Sequence, residues 1–396
     1  MTIKCPGCGA ALVYDAASNM MMCEHCVSYY SVEETGYRSE DENASENRYE
    51  EETGEDDLLE YEVYKCTECG AELVINGTES STFCAYCGQP SIVMSRIIKQ
   101  KKPDFILPFT VTKQEALEII RKKFKKGFFV SKNMKEFEVD KLHGIYIPFR
   151  LYDIDYRDEQ ILKGEVGSGK SKRTKYFYRY AESMFHNITI DASVMLNDDS
   201  SVRLEPYDIK KCIPFSKEYM SGFYSNIMDD DSLATRVKGL KRAGEMFSDE
   251  MRKSVEASNV KTIRMNPYMK IVSERYAMLP TWFVSFNDNG RNNTIMVNGQ
   301  TGKCVGAVEA DIDRKWTLFM VLSGVLIPLF NYILAIFING TNDVEKRLES
   351  MIMLTLGLAV VISMAFNYRR EFNKSRNLTT AVDMKEFAND RQEGDI

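Results

Sequence analysis

Lys4-Cys5-Pro6-Gly7-Cys8-Gly9-Ala10 and Lys65-Cys66-Thr67-Glu68-Cys69-Gly70-Ala71 are two versions of one stretch, 61 residues apart. Each is completed by a second pair, Cys23 and Cys26 in the first and Cys84 and Cys87 in the second, so both read Cys-x2-Cys-x14-Cys-x2-Cys. At that offset 8 of 22 positions are identical: the four cysteines plus Gly9/Gly70, Ala10/Ala71, Leu12/Leu73 and Val13/Val74. The unit is an internal duplication. Two Cys-x-x-Cys knuckles bring four sulfurs together at the spacing of a short zinc ribbon, where thiolates surround Zn2+ tetrahedrally at about 2.3 Å. The reading is therefore two structural Zn(Cys)4 sites, one from Cys5, Cys8, Cys23 and Cys26, the other from Cys66, Cys69, Cys84 and Cys87. An iron–sulfur centre and dithiol redox chemistry are the alternatives for such a set. His25, between Cys23 and Cys26, is not needed as a ligand, and Cys212 and Cys304 read as ordinary thiols.

A filled four-sulfur shell leaves no position for water or substrate, which excludes catalysis at these metals. Units of this size bury too little apolar surface to fold alone, so metal binding, worth roughly 10 kcal/mol or more per site, is effectively their folding energy. Each Zn(Cys)4 carries two negative charges. Residues 1–95 already hold 4 Lys or Arg against 19 Asp or Glu, while the remainder holds 47 against 39. An acidic ribbon region is poorly suited to gripping phosphates.

Between the two units, Glu33 to Glu62 carries 14 carboxylates and only Arg38 and Arg48, with no apolar period, as expected of a flexible acidic linker. Beyond Pro90, Thr112-Lys113-Gln114-Glu115 has the form of a capping box, and Leu117, Ile120 and Phe124 follow at helical spacing, predicting a helix over about 113–126 with a lysine-rich outer face. Gly144 to Tyr156 and Lys175 to Ile190 alternate apolar and polar residues as half-buried strands do. Ser232 is placed to cap a helix reaching about Glu256, with Asp229 to Asp231 at its positive end. Thr281 to Val308 returns to alternation with two turn sequences, predicting tight hairpins.

Gly164-Glu165-Val166-Gly167-Ser168-Gly169-Lys170-Ser171 matches the P-loop pattern literally. The setting argues against a nucleotide site, because Tyr156 to Lys163 is mostly polar and Lys175 to Tyr180 alternates like an outgoing strand. A glycine-rich hairpin tip is the preferred reading. With three histidines, 25, 143 and 186, no nucleophile–base pairing is evident, no small-molecule substrate is indicated, and no catalytic residues are assigned.

Near the end, Trp316 to Ile338 gives 23 residues without a formal charge and Met351 to Phe366 a further 16. At about 1.5 Å per residue the first run matches a hydrocarbon layer of about 30 Å. Six Lys or Arg flank the outer ends and two lie in the joining loop, which predicts a two-span hairpin in the cell membrane with both termini cytoplasmic and residues 339–350 outside. The expected architecture is thus α+β: zinc ribbon 1 (1–30), acidic linker (31–62), zinc ribbon 2 (63–92), a β-rich α+β cytosolic body (93–312), a transmembrane helix hairpin (313–370) and a cytosolic tail (371–396).

Lys4-Cys5-Pro6-Gly7-Cys8-Gly9, Cys84-Ala85-Tyr86-Cys87-Gly88 and Pro103-Asp104-Phe105-Ile106-Leu107-Pro108-Phe109 resemble stretches of bacterial membrane proteins described as containing TFIIB-type zinc ribbons. Gly144 to Phe149, Leu204 to Asp208 and Val297 to Lys303 extend the resemblance over roughly 1–340. Such proteins are often labelled after the replication-restart helicase PriA, although this chain has no Asp-Glu-x-His box and its cysteines form serial ribbons. The resemblance implies a cytosolic scaffold at the membrane, of the kind linked with phage-shock-type envelope stress systems. The leading expectation is a non-enzymatic, membrane-anchored zinc-ribbon adaptor that recruits protein partners beside the lipid bilayer. A nucleic-acid-associated protein is the alternative, and a P-loop nucleotide-dependent enzyme comes after that.

Overall fold

The computed structural model describes residues 2–35, 58–76, 84–86, 92–125, 142–194, 196, 198–288 and 291–306, together with helical positions 322, 326, 329, 330 and 333. The N-terminal unit is a small antiparallel sheet of β1 (Leu12–Asp15), β2 (Met20–Cys23) and β3 (Tyr29–Tyr30), followed by a single helical turn, α1 (Val32–Thr35). Asp15 shapes the β1–β2 turn by accepting from the amides of Ala17 and Ser18, and Asn19 completes it with φ 57°.

The other strands form one twelve-stranded sheet. Its strands are β4 (Leu58–Cys66), β5 (Glu72–Asn76), β6 (Ile92–Lys101), β7 (Phe105–Ile106), β8 (Leu142–Val166), β9 (Arg173–Asp191), β10 (Ile213–Pro214), β11 (Phe223–Ser225), β12 (Ser258–Met265), β13 (Tyr268–Asp288), β14 (Arg291–Asn298) and β15 (Cys304–Gly306). The spatial order is β10-β7-β13-β8-β11-β5-β4-β6, with β9 and β12 added to β8 and the β14–β15 hairpin added to β13. Three helices pack on it: α2 (Lys113–Lys125), α3 (Asp198–Leu204) and α4 (Ser232–Lys253).

β8 is the spine. Its 25 residues reach about 80 Å at a rise of about 3.3 Å each. Over its first half both faces are covered, so the sequence is apolar on both sides. Leu142 and Tyr146 face a cluster with Phe109, Phe223 and Trp282; Ile145, Ile147, Phe149 and Leu151 face a second cluster with Tyr207, Tyr224 and Phe283. Over the second half only one face is covered. Tyr152, Ile154, Tyr156 and Leu162 pack under α4 against Ala243, Phe247 and Met251, and Gly239 is required there because a Cβ would lie 2.9 Å from the Tyr152 ring. Among the described residues nothing covers the other face of that half.

The capping box of α2 forms as its spacing implies: Glu115 accepts from the Thr112 amide at 2.8 Å, and the Thr112 hydroxyl accepts from the Glu115 amide at 3.2 Å. Ala116, Leu117 and Ile120 are the buried side of that helix. In α4 the capping residue is Asp231 rather than Ser232, its carboxylate accepting from Leu233 N at 3.1 Å. A carboxylate there satisfies an otherwise orphan amide and meets the positive end of the dipole.

Two expectations are corrected. The chain is β-dominated rather than α+β, since two of its described helices, α1 and α3, have only four and seven residues while β8, β9 and β13 have 25, 19 and 21. Runs of alternating β-branched and aromatic residues favour this outcome, because they fit a pleated surface covered on one or both sides. The transmembrane hairpin, and with it the two-span cell-membrane location with cytoplasmic termini, is also not sustained: among the described residues no helix is long and apolar enough to cross a membrane. The expected spans and the 371–396 tail lie outside the described residues apart from the five isolated positions 322, 326, 329, 330 and 333. Hydropathy along a run shows that it avoids water. It does not show which apolar surroundings receive it.

Candidate metal centres

The first knuckle of each unit is built by a backbone turn that the duplicated glycine makes possible. Gly9 and Gly70 lie at φ 75° and 71°, and their amides donate to the carbonyls of Cys5 and Cys66 at 2.9 and 3.0 Å. The amides of Cys5 and Cys66 return bonds to Ala10 and Ala71, at 2.6 and 2.9 Å. A left-handed residue directly after the second cysteine folds both sulfurs of the pair to one side, and glycine takes that conformation without a Cβ penalty. The Gly-Ala identity between the copies thus has a backbone reason. In the first unit the other knuckle closes the same way, with Val27 N donating to Cys23 O at 2.8 Å, but here a valine is held at φ 55°. β-branched residues are seldom found there.

The sulfurs converge. Those of Cys5, Cys8, Cys23 and Cys26 all lie within 4.8 Å of one another, and so do those of Cys66, Cys69 and Cys84. The Sγ–Sγ separations are 3.6 Å for Cys5–Cys26, 3.5 Å for Cys8–Cys23 and 3.7 Å for Cys69–Cys84. A disulfide requires about 2.05 Å, which excludes bonding between these pairs. A tetrahedron with metal–sulfur bonds of about 2.3 Å has edges of about 3.8 Å, close to what is found. Both groups could hold a metal ion. Cys87, the expected fourth member of the second group, lies outside the described residues.

The two groups sit in different surroundings. In the first, Cys5 and Cys23 are buried while Cys8 and Cys26 are exposed. Cys5 Sγ is hydrogen-bonded to the Tyr30 hydroxyl at 3.5 Å, which holds the thiol down to about 6 against the burial that opposes it. That favours the thiolate a metal needs. In the second group Cys66, Cys69 and Cys84 are all buried, within the cluster of Ile145, Tyr224 and Phe283. Tyr86, beside them, donates to Asn226 Oδ1 at 2.6 Å and packs edge-on against Phe283.

Docking follows the same division. The first unit lays Leu12, Tyr14 and Met21 on the body's first cluster. It is fixed by Tyr14 N donating to Ser221 O at 3.0 Å and Ser221 Oγ donating to Leu12 O at 2.6 Å. Gly222, at φ 84°, permits the approach, since a Cβ there would stand 3.0 Å from Val13. The second unit is part of the large sheet. Its strand β4 pairs with β6 from Leu58↔Lys101 to Cys66↔Ile92, and β5 pairs with β11 at Val74↔Ser225, Ile75↔Tyr224 and Asn76↔Phe223. α1 and the first five residues of β4 fall within the stretch expected to be linker, while 36–57 lie outside the described residues.

The remaining candidates resolve differently. The P-loop-like stretch is the tip of the β8–β9 hairpin, closing at Val166↔Arg173 through Gly167 (φ 102°), Gly169 (φ 57°) and a short 3-10 turn, Gly169–Ser171. It leads into a strand, so the helix N-terminus that assists phosphate binding in a P-loop is missing here. His143 packs edge-on to Tyr224 with centroids 5.3 Å apart, and burial, aided by Lys113, pushes its pKa down to about 4. His186 Nδ1 lies 3.7 Å from Asp153, and His25 stays exposed on the first knuckle. Burial pushes the Cys212 and Cys304 thiols up to about 11, as for inert cysteines.

A comparison with known proteins finds one informative similarity. The chain is 26% identical over 318 residues to the Uncharacterized protein YdjG of Bacillus subtilis (strain 168), covering 77% of this chain and 89% of that protein. No family model matches the chain, and no solved structure matches it.

Proposed function

We propose that this chain is a non-enzymatic scaffold protein stapled by two structural zinc ions, whose first ribbon recruits protein partners to the β-rich body. The observation that carries this reading is the convergence of the sulfurs of Cys5, Cys8, Cys23 and Cys26 to within 4.8 Å of one another. Four thiolates fill the shell of a Zn2+ ion, so the metal would act by folding the ribbon. The second set, completed by Cys87, would do the same within the sheet. Recruitment is supported by the way the first ribbon docks: its β1–β2 face is against the body, and its second knuckle points outward with Val27 69% exposed and Tyr29 45% exposed. Apolar side chains presented on a rigid, metal-braced turn suit a small protein-docking surface.

Elemental analysis of chain purified without chelators is expected to give two zinc ions per molecule. In-cell crosslinking with the chain intact then tests recruitment: Val27→Asp, which leaves all eight sulfurs in place, is expected to remove crosslinked partners that the wild type captures. An unchanged partner set, or zinc content near zero, would overturn the reading.

A further inference from the structure

The open face of the distal sheet, opposite α4, carries an ordered pattern. On β9, Tyr176, Tyr178 and Tyr180 are 65%, 62% and 54% exposed. Residues directly opposite one another on paired strands project to the same face. Tyr176 therefore shares a row with Lys163 and, one strand further, Lys261; Tyr178 shares one with Ile161 and Arg264. Two rows nearer the body, Arg157 lies between Glu182 and Tyr268, its guanidinium 5.8 Å from the Tyr268 ring centre, and Lys270 follows opposite Asp155. The three β9 rings recur every second residue, about 6.6 Å apart.

The charges on this face are unevenly satisfied. Arg157 is paired with Asp155 at 3.0 Å, and Glu165 is held by Lys172 and Asn259 at 2.9 and 3.0 Å. The row between carries Glu159 opposite Tyr180, and Glu182 accepts from the Tyr180 hydroxyl, so the carboxylates gather at the body end of the β9 row. Lys163, Lys261, Arg264 and Lys270 form no ion pair among the described residues, and Lys163 and Lys261 face each other directly across β8 and β12. Like charges opposite one another in a sheet repel, and an anion between them would relieve this.

We propose that this face binds single-stranded nucleic acid, with bases stacking on Tyr176, Tyr178 and Tyr180 and phosphates meeting Lys163, Lys261, Arg264 and Lys270. Exposed aromatic rings in a row beside a track of cations are the two components of sequence-tolerant single-strand binding. The excess of unpaired positive charge disfavours a second copy of the chain on the same face, because two such faces would bring like charges together. A duplex is disfavoured too, since its base faces are hidden in the stack. The surface is separate from both cysteine groups, so it stands or falls independently of the scaffold reading.

The test is fluorescence anisotropy of the full, zinc-loaded chain with a labelled oligo-dT of about 20 nucleotides. Four phosphate contacts predict about 50-fold weaker binding at 200 mM than at 50 mM salt, from a slope near −0.7 per neutralised phosphate. The Tyr176→Ala/Tyr178→Ala variant is expected to lose at least about 30-fold, while Tyr176→Phe/Tyr178→Phe retains binding because the ring survives. Lys163→Gln/Lys261→Gln serves as a second variant and is expected to reduce the salt slope by about 1.4. The proposal is overturned by absent binding at 50 mM salt, by equal affinity of wild type and alanine variant, or by equal affinity for a duplex of the same length. Tyrosine-dependent dimerisation in sedimentation, or equal binding of poly-glutamate, would overturn it in favour of a second copy or an acidic protein.

Discussion

The two cysteine units share spacing, the Gly-Ala turn and a Leu-Val pair, yet the fold uses them differently. The first keeps its own three-stranded sheet and rests on the body through side chains and two hydrogen bonds to and from Ser221. The second gives up its independence: β4 and β5 are interior strands of the main sheet, and its sulfurs lie in the body's own core. Local ligand spacing thus sets how a knuckle folds, and the neighbours set what depends on it. A metal in the first unit would hold a module; one in the second would hold the seam between β6 and β11.

The sharpest way to break the comparison is to remove ligands from each unit in turn. Cys66→Ser/Cys69→Ser is expected to destabilise the whole chain by about 5 kcal/mol or more, seen as a large drop in the main thermal transition, because uncompensated polar groups would be left in a core. Cys5→Ser/Cys8→Ser is expected to leave that transition nearly in place and add an early, separate one. Equal effects from both pairs would refute the distinction.

Docking of the first unit supplies a smaller effect. Tyr14 packs against Tyr219 with centroids 5.0 Å apart and rings tilted by 60°, and lies 6.4 Å from the Phe223 ring. Tyr14→Ala is expected to cost about 3–4 kcal/mol, read as faster proteolysis of the N-terminal ribbon with the main transition little moved. Loss of the main transition instead would show that the ribbon is integral to the body.

Acid provides a comparable handle on the seam. His143 lies on β8 against Tyr224 of β11, the strand that carries the second unit. Its folded pKa is about 4 against 6.5 unperturbed. Above 6.5 both states are neutral and nothing is lost; as pH falls toward 4 the unfolded chain takes the proton and the folded chain does not. Stability should therefore decline over that window by up to about 3 kcal/mol. Denaturant titrations of His143→Gln should lack this part of the decline, and an identical pH profile would contradict the assignment.

The smallest effect is at the strained residue. Val27 occupies a left-handed position that Gly9 and Gly70 fill in the other described knuckles, and the second unit has Gly88 at the corresponding place in sequence. Val27→Gly is expected to stabilise the first ribbon by about 1 kcal/mol, slowing metal loss to a chelator. Faster loss would mean that Val27 packing outweighs the strain.

How far the chain could be read varied with the range of the interactions involved. Thr112 and Glu115 announced their capping box because the partners are three residues apart, and both knuckles were legible for the same reason. Ser232 was off by one, since Asp231 offers an equally good acceptor one position earlier and only backbone geometry separates them. The strand alternation of 144–156 and 175–190 was visible, but not that the first belongs to a 25-residue spine. The tyrosines of β9 repeat with the strand period, though sequence does not show that their face is uncovered.

By itself, the sequence determined the convergence of Cys5, Cys8, Cys23 and Cys26 and of Cys66, Cys69 and Cys84, the glycine turns of their first knuckles, the amphipathic helices and the hairpin at Gly164 to Ser171, all of which depend on neighbours within about twenty residues along the chain. Only the tertiary structure decided that the second ribbon is part of the main sheet, that one half of β8 is covered on both faces and the other on one, and that β strands outweigh helices in the body. The physical reason is that strand pairing and burial are settled between segments far apart in sequence, where the same alternating pattern is compatible with several partners.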